Sequence, residues 1–288
     1  MFRNVAELVQ QATERNIKLY EIMLEQEEEL TGVSKEEITG RMLKQFQVMK
    51  QAALRGMDGV TSHSGMTGGD GKRLNEYIKK GNYLTDKTTL KAACYAVSIN
   101  EVNASMGLIC ATPTAGSSGV LPAVLLAVGE RLNMDDDTIA MYLFTAGAFG
   151  FVIANNAFIS GAAGGCQAEI GSASAMAAAA AVEMAGGSPH QAAHAMALAM
   201  KNMLGLTCDP LAGLVEVPCI KRNAAGATNA IVSAELALAG VESKVPWDEV
   251  ISAMYNIGLA IPVTLRETSV AGLAATETGK KWKEMLME

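Results

Sequence analysis

Ser172-Ala-Ser-Ala-Met-Ala-Ala-Ala-Ala-Ala-Val-Glu-Met184 is the stretch whose reading decides the fold of this 288-residue chain. Alanine is the best helix former, and a helix clothed in alanine lets its neighbours approach closely on every side. The segment therefore reads as the central helix of an all-α protein. Composition agrees. Half of the residues are hydrophobic but only 5% are aromatic, so the apolar mass is Ala, Leu, Met, Val and Ile, which favours packed helices over a β-sandwich.

Working outward, the first 60 residues read as two amphipathic helices. The second starts at the capping box Ser34-Lys-Glu-Glu37, in which the Ser34 oxygen accepts an orphan N–H and Glu37 reaches back. Ile38, Met42, Phe46 and Met49 then form one apolar face, with Gly56 as the expected stop. Thr61-Ser-His-Ser-Gly-Met-Thr-Gly-Gly-Asp-Gly71 is a loop, and Ala111-Thr-Pro-Thr-Ala-Gly-Ser-Ser-Gly119 is a second one, set inside apolar sequence. Asp135, Asp136 and Asp137 complement the start of a helix running toward Ala154. Ser188-Pro189 opens another, expected to end near Gly205, and a last helix starts at Pro246-Trp-Asp-Glu249. The expected organisation is a peripheral helical part, residues 1–60, joined to a helical catalytic part, 61–288, in one continuous domain.

Several function classes are disfavoured. A net charge of −7 and a pI near 5.2, with no basic stripe, argue against nucleic-acid binding. The N-terminal Met1-Phe-Arg-Asn-Val-Ala-Glu lacks the pattern of a signal peptide. Five cysteines cannot all pair, so a reducing cytoplasm is expected. The charge-free runs 102–129 and 138–168 exceed the roughly 20 residues of a membrane span, but Pro113, Pro122, Asn155, Asn156 and several glycines interrupt them. They are read as buried helices, with a membrane bundle as the alternative.

Three cysteines sit in unusual surroundings: Gly164-Gly-Cys166-Gln-Ala-Glu, Leu206-Thr-Cys208-Asp-Pro210 and Val217-Pro-Cys219-Ile-Lys-Arg-Asn223. Their C-x41-C-x10-C spacing is not that of a zinc ribbon. Three thiolates with a fourth position open suit an iron–sulfur cluster that performs chemistry. The competing reading, buried cysteine as a small hydrophobe, suits Cys94 and Cys110. The 61–71 loop offers Ser62, Ser64, Thr67 and backbone N–H groups, suited to a carboxylate. It is not a nucleotide loop, because Arg73 follows Lys72 where Ser or Thr is needed. The second loop offers Thr112, Thr114 and Ser117. His63 is either a base or a loop hydrogen-bond donor. His190 and His194 share a helix face, but Gln191 stands where a zinc protease needs Glu.

The segments Asn155–Gly171 and Asn202–Asn223, with Ala111–Gly119, Arg266-Glu-Thr268 and Gly272-Leu-Ala274, resemble the α part of bacterial iron–sulfur-dependent L-serine dehydratases. The resemblance covers nearly the whole chain, more weakly before residue 60. It implies an all-α fold and a [4Fe–4S] cluster on Cys166, Cys208 and Cys219. It implies conversion of L-serine to pyruvate and ammonia without pyridoxal phosphate, and a separate β chain as partner. Asn155, Asn156 and Ser160 are expected to orient substrate or cluster, and Arg266 to clamp a carboxylate or form an ion pair. The base is expected to be His63 or a serine- and histidine-bearing loop of the β chain. A related enzyme that removes sulfide from cysteine is the near alternative. Some single-chain relatives end in a cysteine that reaches a cluster, but the last cysteine here is Cys219.

Overall fold

In a computed structural model that describes residues 1–287, the chain forms thirteen α-helices and, among those residues, no β-strand. The all-α expectation holds. The alanine segment is helix α9, Ser172–Met184, and all thirteen of its side chains are buried. Around it pack α6 (Val120–Leu132), α7 (Asp136–Asn156), α10 (Pro189–Lys201) and α11 (Cys219–Leu238). The small side chains are what allow four helices to share one axis at close range. α7 is the one described helix long and apolar enough to cross a membrane, and 61% of its most apolar window is buried inside the protein.

Three helices, not two, precede residue 60: α1 (Val5–Arg15), α2 (Leu19–Thr31) and α3 (Lys35–Asp58). The break between α1 and α2 falls at Asn16, which adopts the left-handed conformation at the end of α1. Ser34 caps α3 through its oxygen on the Glu37 N–H, whereas the Glu37 carboxylate pairs with Arg41 instead of reaching back. Gly56 does not end α3. It lies where α3 crosses α5 (Lys87–Ala104), and a Cβ there would sit 2.2 Å from the Ser98 carbonyl oxygen. Phe2, Val5, Leu8 and Phe46 share one buried core with Ile99, Phe149, Ile170 and Met196. Buried Glu183, in the last turn of α9, accepts from the Leu19 N–H at 2.5 Å and from the Thr145 hydroxyl. Asp248 accepts from the N–H groups of Val5 and Ala6.

The 61–69 loop leads into α4 (Asp70–Lys80), whose first N–H groups are held by buried Glu101. The Ala115–Ser117 turn precedes α6, and the short helix α8 (Gly161–Gly164) follows α7. Between α8 and α9, residues Gln167–Gly171 form a wide, π-type turn that runs straight into α9. α12 (Trp247–Ala260) and α13 (Glu277–Met287) complete the chain, the latter beyond the helix expected to be last.

Overpacking tests the central role of α9. Ala178→Leu, at a fully buried position, is expected to lower unfolding free energy by about 1–3 kcal/mol, measured by chemical denaturation. An unchanged midpoint would mean that the helices around α9 have room to spare.

Candidate metal centre

The wide turn places Cys166 at the entry to α9, directly after Gly165, whose φ of +77° is a conformation glycine tolerates. Cys208 sits on an extended segment. Its N–H donates to the Leu265 carbonyl and its carbonyl accepts from Glu267, a single parallel bridge to the chain beyond α12. Cys219 begins α11. All three are buried and none is in a disulfide. Sγ of Cys166, Sγ of Cys208 and a carboxylate oxygen of Glu169 lie within 4.8 Å of one another. Cys208, Glu169 and Cys219 line a cavity of about 260 Å³ with Thr114, Ala115, Gly116, Ser160 and Glu267.

Among the described residues, one cation is bonded to this anionic set. The Arg222 guanidinium, one turn into α11, donates to Cys166 Sγ at 3.4 Å, to the Thr207 carbonyl at 2.8 Å and to Asp209 Oδ1 at 2.9 Å. The hydrogen bond from Cys208 and the positive charge of Arg222 hold Cys166 below the ordinary thiol range, against the opposing effect of burial. Cys208, as the donor in that pair and buried, is pushed well above the range. Burial, with the charge on Cys166, pushes Cys219 up as well, and burial raises the Glu169 carboxyl. A protein-only site of this kind holds protons between its thiols, and a bound cation would replace them.

The fit to a metal group also shows in the backbone. A Cβ on Gly161 would lie 2.8 Å from both Cys208 Sγ and Glu169 Oε2, so even a methyl group would intrude on the converging donors. Three soft sulfurs and one carboxylate, buried with a single guanidinium, are a donor set for an iron–sulfur group or another thiophilic metal.

The structure gathers some of the expected site residues and not others. Ser160 and Thr114 line the cavity, and Thr114 Oγ1 donates to Glu169 Oε1 at 2.7 Å. Ser117 is buried beneath the same turn, its hydroxyl on the Thr112 carbonyl, and the Thr112 hydroxyl turns to the Ser118 carbonyl. In the other loop, Ser64 and Thr67 both donate to buried Glu216, at 2.7 and 2.6 Å, while Ser62 Oγ accepts from the Thr67 N–H. Those hydroxyls tie the loop to the segment that carries Cys219. His63 is exposed beside them. Asn155 and Asn156 donate to carbonyls of their own helix, and Asn156 also to Arg3; neither lines the cavity. The Arg266 guanidinium caps α12 through the Ile261 and Leu259 carbonyls, and its neighbour Glu267 faces the cavity instead.

Sequence reasoning missed Glu169, Asp209, Glu216, Arg222 and Asn223. Asn223, fully buried in α11, holds the second loop by donating to the Gly116 carbonyl and accepting from the Gly119 N–H. All five lie within four residues of a site cysteine, and for Glu169 and Glu216 a carboxylate in otherwise apolar sequence was the available signal. His194 is structural: its Nδ1 accepts from the Ser243 N–H and the Trp247 indole.

Two variants probe this arrangement. In the metal-free chain, Arg222→Met removes a charge that favours the Cys166 thiolate, so the thiolate absorbance titration is expected to move to higher pH. A stationary curve would detach the guanidinium from that thiol. Gly161→Ala should weaken metal loading by at least about tenfold, measured by metal analysis on chain whose circular dichroism is native; full loading would show that the space is not needed.

Comparison with known proteins bears on the same residues. The family model described as serine dehydratase alpha chain matches residues 14–274. A Bacillus subtilis (strain 168) protein named "Probable L-serine dehydratase, alpha chain" is 57% identical over 286 residues, covering 99% of this chain and 95% of that one. "L-serine dehydratase, alpha chain" of Peptoniphilus asaccharolyticus is 47% identical over 283 residues, 98% of this chain and 97% of its own. "L-serine dehydratase 2" of Escherichia coli (strain K12) is 37% identical over 284 residues, covering 95% of this chain but 61% of the longer relative. With the match spanning both cysteine segments and the loops around the cavity, the chain belongs to the serine dehydratase α-chain family.

Proposed function

We propose that this chain is the α part of an enzyme that deaminates L-serine to pyruvate and ammonia, with a [4Fe–4S] cluster held by Cys166, Cys208 and Cys219. The observation that carries the reading is the convergence of Cys166, Cys208 and Glu169 beside a cavity that Cys219 also lines, in a chain of this family. Loss of the α-proton and of hydroxide from L-serine leaves aminoacrylate, whose imine tautomer hydrolyses to the two products. A bound cluster would supply a Lewis acid for the departing hydroxyl, at an iron lacking a cysteine ligand.

The chain's own residues have separable tasks. Arg222 keeps Cys166 as a thiolate ready to ligate. The Thr114–Ser117 turn and Ser160, at the cavity wall, offer hydroxyl and N–H donors to the substrate carboxylate. Ser64 and Thr67 hold their loop through Glu216, with Ser62 on the Thr67 N–H, and the three hydroxyls re-pair with substrate only by leaving these partners. Asn155, Asn156 and Arg266 act at a distance, through the helix ends that they bond. His63 is the imidazole this chain offers as base, and the serine- and histidine-bearing loop of a β chain is its rival. The β chain completes the site, and a reducing cytoplasm preserves the thiols.

Anaerobic purification with iron and sulfide analysis, then turnover of L-serine and L-cysteine with and without the β chain, tests the proposal. Cluster on the α chain alone, pyruvate from serine only with β added, and loss of cluster and activity in Cys208→Ala are expected. Full activity of that variant would sink the ligand assignment; preferred turnover of cysteine would change the substrate. His63→Gln should lower kcat at least about 100-fold if the imidazole is the base, and unchanged turnover would assign the base to the β chain.

A further inference from the structure

We infer that the Glu169 carboxylate is a resident ligand of the metal centre, occupying in the substrate-free protein the position that the three cysteines leave open, and that the substrate carboxylate displaces it. The inference rests on the cluster reading above and adds a fourth protein donor to it.

Placement is the first ground. A Glu169 oxygen lies within 4.8 Å of both Cys166 Sγ and Cys208 Sγ. Oε2 and Cys208 Sγ converge on one point, since each is 2.8 Å from where a Gly161 Cβ would stand. Oε1 is engaged by the Thr114 hydroxyl, and the residue lines the cavity together with Cys208 and Cys219.

Charge is the second ground. Among the described residues, the other buried carboxylates are served on both oxygens by donors. Glu101 takes the Asp70 and Gly71 N–H groups, and Glu183 takes the Leu19 N–H and the Thr145 hydroxyl. Glu216 takes two hydroxyls, and Asp209 takes Arg222 and the Leu273 N–H. Glu169 is only 8% exposed, is served by the Thr114 hydroxyl and the Gly161 N–H, and has no Lys, Arg or His in an ion pair with it among the described residues. Its acidic neighbour across the cavity is Glu267. A buried carboxylate without a cationic side chain is held by hydrogen bonds alone or coordinates a metal, and of this set only Glu169 lies beside two thiols. Carboxylate oxygen is also a ligand that another carboxylate can replace, unlike a thiolate. Position beside two thiols and missing counter-charge thus meet at one residue.

The test uses the full chain reconstituted anaerobically with 57Fe and 13C-labelled glutamate. In the loaded wild type, Mössbauer spectra should contain one iron distinct from the others. Adding L-serine should change that iron and shift a labelled carboxylate band in the infrared difference spectrum. Glu169→Gln should alter the distinct iron before serine is added and speed conversion to a three-iron form under oxidant by at least about tenfold, read by electron paramagnetic resonance. Glu169→Asp should fall between the two. An unchanged spectrum and rate in Glu169→Gln would overturn the inference while leaving the cluster reading intact, whereas a wild type that takes up no iron or sulfide defeats that reading itself. If Glu169→Gln lacks native circular dichroism, the labelled band in wild type decides, and its absence of response to serine counts against a ligand role.

Discussion

Close approach of helices onto α9 is the constraint from which the rest of the structure follows. A helix with all thirteen side chains buried has no polar face to spare, and burial in the company of four neighbours is possible only because those side chains are so small. The same rigidity passes upstream. The π-type turn Gln167–Gly171 is continuous with α9 and buried throughout, so Cys166 and Glu169 are positioned by the packing of the central helix. Gln167 anchors that turn further, donating to the Met254 carbonyl and accepting from the Gly205 N–H.

Against this fixed point the other two cysteines are brought in by different means. Cys208 depends on backbone pairing with residues 265 and 267, far away in sequence. Cys219 depends on the start of α11, which lies against α9. Arg222 joins the first two segments through Cys166, Thr207 and Asp209, and Glu216 brings in the 61–69 loop. Buried charge that is fully bonded in this way resists rearrangement, since losing one partner strands another.

The helical class, the central helix and the three cysteine segments were legible because each is local: alanine content, caps, and thiols among glycine and proline. The α1–α2 break was not, since Asn16 in a left-handed cap is chemically indistinct from a surface asparagine until φ is known. Arg266 and the Asn155–Asn156 pair illustrate a second limit. Their side chains are of substrate-binding type, yet carbonyls at helix ends claim them here. Glu169 and Glu216 illustrate the converse. Apolar flanks hint that such a carboxylate is buried, but its partners lie in chain segments 55 and 152 residues removed.

Asp209 divides its two oxygens between Arg222 and the Leu273 N–H, and it packs so tightly on Gly272 that a Cβ there would be 2.5 Å from its Oδ2. The segment after α12 and the guanidinium beside Cys166 are therefore thermodynamically coupled through a single carboxylate. Their contributions to stability are not separable quantities: removal of either leaves the same acid half-served, and the two losses do not sum. In that sense the C-terminal segment is part of the electrostatics of a thiol from which it is separated by more than one hundred residues of chain.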